Sequence, residues 1–255
     1  MRRTCASIVA FAAMALPAPA LGAPARADAV VAVIDTGINP YHDTFADESP
    51  RGHRHPSTYI DGFPKDAQAL RLTLDEPDFE KAFLADCKRV WAKVEPGRLY
   101  WFPGTKIVGA ITFGPQSPAG CTSWRTTSGR ILDASGHGTM TASRAASNEY
   151  GACRSCRIVA IQTGYDYVSG GFAGAVGFAG DNAGWIDAQS NSWGPVAPVW
   201  DPTNATVIWA ATTELIEAVE RSARAHLSFW ASGNGAATRG GAVGHPAVLQ
   251  PPMTP

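Results

Sequence analysis

Four short motifs follow one another along this sequence, and most of them present a group able to do chemistry. They are Val33-Ile34-Asp35-Thr36-Gly37, Gly136-His137-Gly138-Thr139, Ser190-Asn191-Ser192-Trp193-Gly194 and Ala231-Ser232-Gly233-Asn234-Gly235. Asp35 is a carboxylate at the very end of an apolar run, where a charge needs explaining because burial without a partner is costly. His137 carries an imidazole, the side-chain type suited to taking up and returning a proton in catalysis. Glycine on both sides of it permits close approach of backbone and substrate. Asn234 is an amide donor between two glycines, which let it project from a tight turn. Singly, each has a plain structural explanation: aspartate caps helices and opens turns, histidine sits on surfaces, and Asn-Gly makes a turn. The other five histidines, including His42, His53, His55 and His245, are read in that ordinary way. It is the order of all four motifs that carries weight.

Side chains so far apart in sequence need a scaffold that brings them together. Val30-Val31-Ala32-Val33-Ile34 is a continuous β-branched run, the pattern of a strand buried on both faces of a parallel sheet covered by helices. The same pattern predicts strands over 106–111, 157–161, 186–191 and 226–231. Between them, the small residues of 138–147 suit a helix packed closely on a sheet. Residues 210–225 carry Leu215, Ile216 and Val219 at helical spacing. Strands alternating with helices imply an α/β, βαβ architecture, in which functional groups gather at the carboxyl ends of the strands. The segment at about 44–104 mixes charge, proline and a predicted helix over about 78–94 bearing Phe79, Phe83, Val90 and Trp91; it is expected to be an insertion.

Composition narrows the class. With 255 residues, 45% hydrophobic and 17% charged, the chain can bury one sizeable core. A formal net charge of -1 lacks the basic excess of a nucleic-acid binder, so no nucleic-acid partner is expected. Arg2 and Arg3, the apolar run from Ile8 to Leu16 and the small residues Ala25 and Ala27 read as a signal peptide over 1–27, too short to span a membrane. A secreted chain with no membrane association after cleavage is therefore expected. Loss of the leader removes Cys5 and leaves Cys87, Cys121, Cys153 and Cys156, an even number suited to disulfides. Of the three possible pairings, Cys87 with Cys121 and Cys153 with Cys156 is the one taken. No second Cys or His pair accompanies Cys153-Arg154-Ser155-Cys156 at zinc-ligand spacing.

The four motifs in order closely resemble the subtilisin-like serine protease family, over roughly Val30 to Val248. The resemblance implies a three-layer fold with a mostly parallel central sheet flanked by helices, and hydrolysis of peptide bonds by an Asp-His-Ser triad. The chain order Asp, His, Ser belongs to that family. Asp35 then corresponds to the acid that holds and charges the imidazole, His137 to the general base, and Asn234 to the side-chain donor of the oxyanion hole. Ser192, Trp193 and Gly194 correspond to the strand that pairs with an extended peptide, and Ala231 and Gly233 to the facing wall of the specificity pocket. The partner expected is a peptide or protein substrate. No cofactor is expected, and no acidic cluster stands where calcium would be assigned. After His137, Met140-Thr141-Ala142-Ser143 departs from the family's more usual valine and glycine.

The family's nucleophile lies in a Gly-Thr-Ser motif downstream of the oxyanion asparagine, and no such triplet occurs in this sequence. The expectation is a partial peptidase domain over 28–255, its C-terminal part and nucleophilic serine missing, inactive by itself. The rival expectation is a secreted peptide-binding protein without catalysis.

Overall fold

The structure, a computed structural model, describes residues 29–72, 79–113, 130–163, 171–193 and 213–231, without the side chains of 79–83. Its central feature is a seven-stranded sheet. In chain order the strands are β1 (Val30–Asp35), β2 (Gln68–Ala69), β3 (Tyr100–Trp101), β4 (Ile107–Thr112), β5 (Arg157–Gln162), β6 (Ala188–Asn191) and β7 (Leu227–Trp230). They lie side by side as β2-β3-β4-β5-β1-β6-β7. Every pairing is parallel except that of β3 with β4. The chain is therefore α/β, with β1 between β5 and β6 near the middle of the sheet.

Helices α1 (Phe79–Lys93), α2 (His137–Ala146), α3 (Gly171–Asp181) and α4 (Thr213–Ala225) cover the two faces. Along β1, Val30, Ala32 and Ile34 join Phe172, Ala175 and Val176 of α3 and Leu215, Ala218 and Val219 of α4 in one core. Val33 points the other way, into a second core with Val90 of α1 and Ala142 and Ala146 of α2. The period of two along a strand thus feeds two separate cores, as a sheet buried on both faces requires. In β4 the alternation breaks: Val108 and Ile111 enter the first core, Ile107 and Ala110 the second. The cause is a register shift against β5 between Ile107 and Gly109.

Three features go beyond the sequence reading. Helix α3 has glycine at 171, 174, 177 and 180, a composition with poor helix propensity. Tertiary packing overrides the propensity, because a methyl group on Gly180 would lie only 3.0 Å from the Cα of Ser222 in α4. Strands β2 and β3 are two residues each, too short to leave a pattern, and they extend the sheet beyond β4. Described residues of the 44–104 segment also pack in the two cores. Phe45, Leu70, Tyr100 and Phe102 pack in the second core, and Ile60, Phe63 and Trp101 in the first.

A disulfide joins Cys153 to Cys156 just ahead of β5, with Cα atoms 5.3 Å apart. Cys87 is buried and disulfide-bonded; Cys121 lies outside the described residues. Among the described residues no helix is long and apolar enough to cross a membrane.

Candidate active site

Asp35 is the last residue of β1 and only 4% exposed, so its carboxylate must be satisfied by donors from the protein. Three converge on it. Oδ1 accepts from the backbone N–H of Thr36 at 2.7 Å and lies 2.8 Å from Nδ1 of His137. Oδ2 accepts from the hydroxyl of Thr141 at 3.0 Å. A carboxylate has no proton to give, so Nδ1 of His137 is the donor and Nε2 is left as the basic nitrogen of the neutral ring. The His137 side chain is 44% exposed. A buried acid thus backs an imidazole that opens to solvent.

The approach of the two side chains depends on glycine. His137 is the first residue of α2, whose N-terminal turn lies against the turn that follows β1. A methyl group on Gly138 would sit 2.3 Å from the carbonyl oxygen of Gly37. Gly37 itself has φ +127, and a methyl group there would lie 2.6 Å from the carbonyl oxygen of Ile131. The space flanking the Asp-His contact exists because neither residue has a side chain.

A second carboxylate, which the sequence reading missed, ties the two motifs together. Asp133 is 2% exposed. Its Oδ1 accepts from the Thr36 hydroxyl at 2.7 Å, from Gly136 N at 2.9 Å and from Ser135 N at 3.1 Å. Its Oδ2 accepts from the backbone N and the hydroxyl of Thr139 at 2.8 and 2.7 Å. The Thr36 hydroxyl in turn accepts from Gly138 N at 2.9 Å. Gly136, the residue that caps α2, has no side chain, so Asp133 and Thr36 satisfy the helix's exposed N–H groups from outside. An anion at this end also suits the helix dipole. The available signal was an aspartate four residues before the histidine, in Asp133-Ala134-Ser135-Gly136-His137.

The far end of α2 is anchored as well. Nζ of Lys106 donates to the carbonyl of Ala146 at 2.6 Å and to that of Arg154 in the Cys153–Cys156 loop. Burial, followed by the neighbouring Arg157 guanidinium, pushes this ammonium down to about 8. The β1 end of the site is held by Gln162, whose Nε2 donates to the carbonyl of Thr36 at 2.9 Å.

Of the other sequence candidates, Ser192 and Trp193 follow β6 directly and are half-buried. Because Asn191 pairs with Ile34, they leave the sheet at the same end as Asp35. Trp193 packs on Phe172, with ring centroids 4.1 Å apart, and on Trp230 at 5.3 Å. Ala231 is exposed and donates its backbone N–H to the carbonyl of Asn191 at 2.9 Å. Gly194, Gly233, Asn234 and His245 lie outside the described residues. His42 and His55 accept backbone N–H groups at the starts of short 3-10 turns, and His53 lies 3.8 Å from Glu48. Among the described residues no group of three or more His, Cys, Asp or Glu is arranged to hold a metal ion.

A family model described as the subtilase family matches residues 26–254, nearly the whole chain. No curated protein and no solved structure matches it.

Proposed function

From a chain that belongs to the subtilase family, we propose a secreted subtilisin-like serine endopeptidase domain of which these residues carry the acid, the base and the oxyanion donor. The observation that supports this most directly is the 2.8 Å contact between Asp35 Oδ1 and His137 Nδ1. In this reading Asp35 holds the ring with Nε2 towards the substrate, and His137 takes the proton of the nucleophile and returns it to the leaving amine. Asn234 donates to the carbonyl oxygen as it becomes an anion. Ser192, Trp193 and Gly194 pair with the peptide backbone, opposite Ala231 and Gly233. Secretion belongs to the same proposal, supported by the Arg2-Arg3 start, the apolar run after it and the Cys153–Cys156 disulfide.

The nucleophile sets the condition. No Gly-Thr-Ser triplet occurs among the 255 residues, so the chain as it stands is proposed to be inactive. Loss of the serine costs roughly six orders of magnitude in turnover for a triad of this kind. The test is exposure of the purified chain to a fluorophosphonate probe and to a quenched peptide library. Absence of labelling and of cleavage is expected, and labelling would overturn the inactivity. Peptide binding without labelling would favour the second reading, a secreted peptide-binding protein without catalysis. A reading frame beyond the codon for Pro255 that encodes Gly-Thr-Ser would make the longer chain the enzyme.

A further inference from the structure

We propose that Thr141 is a positioning residue for the acid-base pair: its hydroxyl holds the second carboxylate oxygen of Asp35, so that the first is turned to His137. This rests on the proposal that Asp35 and His137 act as a pair. Thr141 stands one helical turn beyond His137 in α2 and is buried. Its Oγ1 lies 3.0 Å from Asp35 Oδ2 and 3.0 Å from the carbonyl oxygen of Gly138. A hydroxyl has one proton, and these two acceptors compete for it. Were it given to Gly138, a hydroxyl lone pair would face an ionised carboxylate at 3.0 Å, a repulsive contact inside the protein. Given to Asp35, it forms a charge-assisted bond, roughly twice as strong as a neutral one.

The consequence is geometric. Asp35 Oδ1 already receives Thr36 N and His137 Nδ1. With Oδ2 fixed by Thr141, the carboxylate cannot rotate about its last torsion without breaking bonds at both oxygens. The plane of the acid is thereby set by the same helix that carries the imidazole. A β-branched residue suits this role, since the helix already restricts its side-chain torsion. Valine at this position would fill the same volume and leave Oδ2 without that donor.

The readout is the His137 ring in the 255-residue chain, followed by nitrogen and proton NMR at a pH where the ring is neutral. The native chain is expected to hold the Nδ1–H tautomer, with a slowly exchanging ring proton. Thr141→Val should mix the tautomers and speed exchange of that proton about tenfold, the factor expected for loss of one hydrogen bond to a charged group. Thr141→Ser, which keeps the hydroxyl, should behave as the native chain. Should the valine variant not fold, Thr141→Ala removes the same donor with a good helix former. Native tautomer and exchange in a folded valine or alanine variant would overturn the inference. Asp35→Asn separates this from failure of the pair itself. It should invert the tautomer, because the Asn side chain can turn its own N–H groups to Nδ1. An unchanged ring in Asp35→Asn would sink the pair and Thr141's role with it. Inversion there with no effect of Thr141→Val sinks only the latter.

Discussion

The backbone of Gly138 at the start of the histidine-bearing helix lies so close to the backbone of Gly37 after the aspartate strand that one methyl group would come within 2.3 Å of the Gly37 carbonyl oxygen. Since the clash is with backbone, relief requires the helix to back away, and His137 is the residue before Gly138.

Gly138→Ala is therefore expected to cost about 2–3 kcal/mol, the upper range for overpacking, and to separate His137 from Asp35. Urea unfolding measures the first effect and loss of the protected Nδ1 proton in NMR the second. Gly136→Ala is the contrast. Gly136 has φ +78 and nothing within 4 Å of an added methyl group, so its cost is the backbone strain of about 1–2 kcal/mol with the Asp-His contact kept.

Asp133 gathers five donors on one buried carboxylate and serves both motifs at once. Asp133→Asn keeps the shape but turns an amide N–H group towards donors that need an acceptor. A loss of about 3 kcal/mol is expected, in the range of a charged buried hydrogen bond and the groups it leaves unsatisfied. Hydrogen exchange should quicken first at the amides of Gly136 and Thr139. Global loosening with no local preference would refute this assignment.

Lys106 gives a stability change in alkali. In the folded chain its ammonium is pushed down to about 8, against 10.5 when unfolded. Between those values the unfolded chain binds more protons, so this residue's contribution makes the fold more stable as pH rises through that window. The neutral amine still has two N–H donors for the Ala146 and Arg154 carbonyls. Unfolding midpoints at pH 7.5 and pH 10, compared between the native chain and Lys106→Met, isolate the effect. Equal pH dependence in the two proteins would contradict it.

His226, between α4 and β7, gives an effect of the same sign in an acid window. Burial lowers its pKa below the ordinary 6.5, against the opposing pull of the Asp187 carboxylate. Below pH 6.5 the unfolded chain takes up the proton first, so stability is full above that value and falls as pH drops towards the folded pKa. His226→Gln should flatten this part of the stability curve. A native curve level from pH 7 to pH 5 would show that the ring is not held neutral.

The order of the four motifs and the β-branched run before Asp35 were enough, as sequence, to indicate the α/β class, the family and the two residues that meet at 2.8 Å. These signals are local or depend on identity alone: a strand buried on both faces has a recognisable pattern, and the Asp and His motifs are short. What only the folded chain decided depends on contacts across long separations. Helix α3 forms against its own glycine content because α4 accepts a close backbone. The described residues of 44–104 reach both cores because the scattered Phe45, Ile60, Phe63 and Leu70 find neighbours 50 residues or more away, among them Trp185 and Ile158. Asp133 and Thr141 look like ordinary polar residues in sequence. They become parts of the site only when the sheet brings the end of β1 to the start of α2, since a buried carboxylate takes its donors from whatever stands beside it in space.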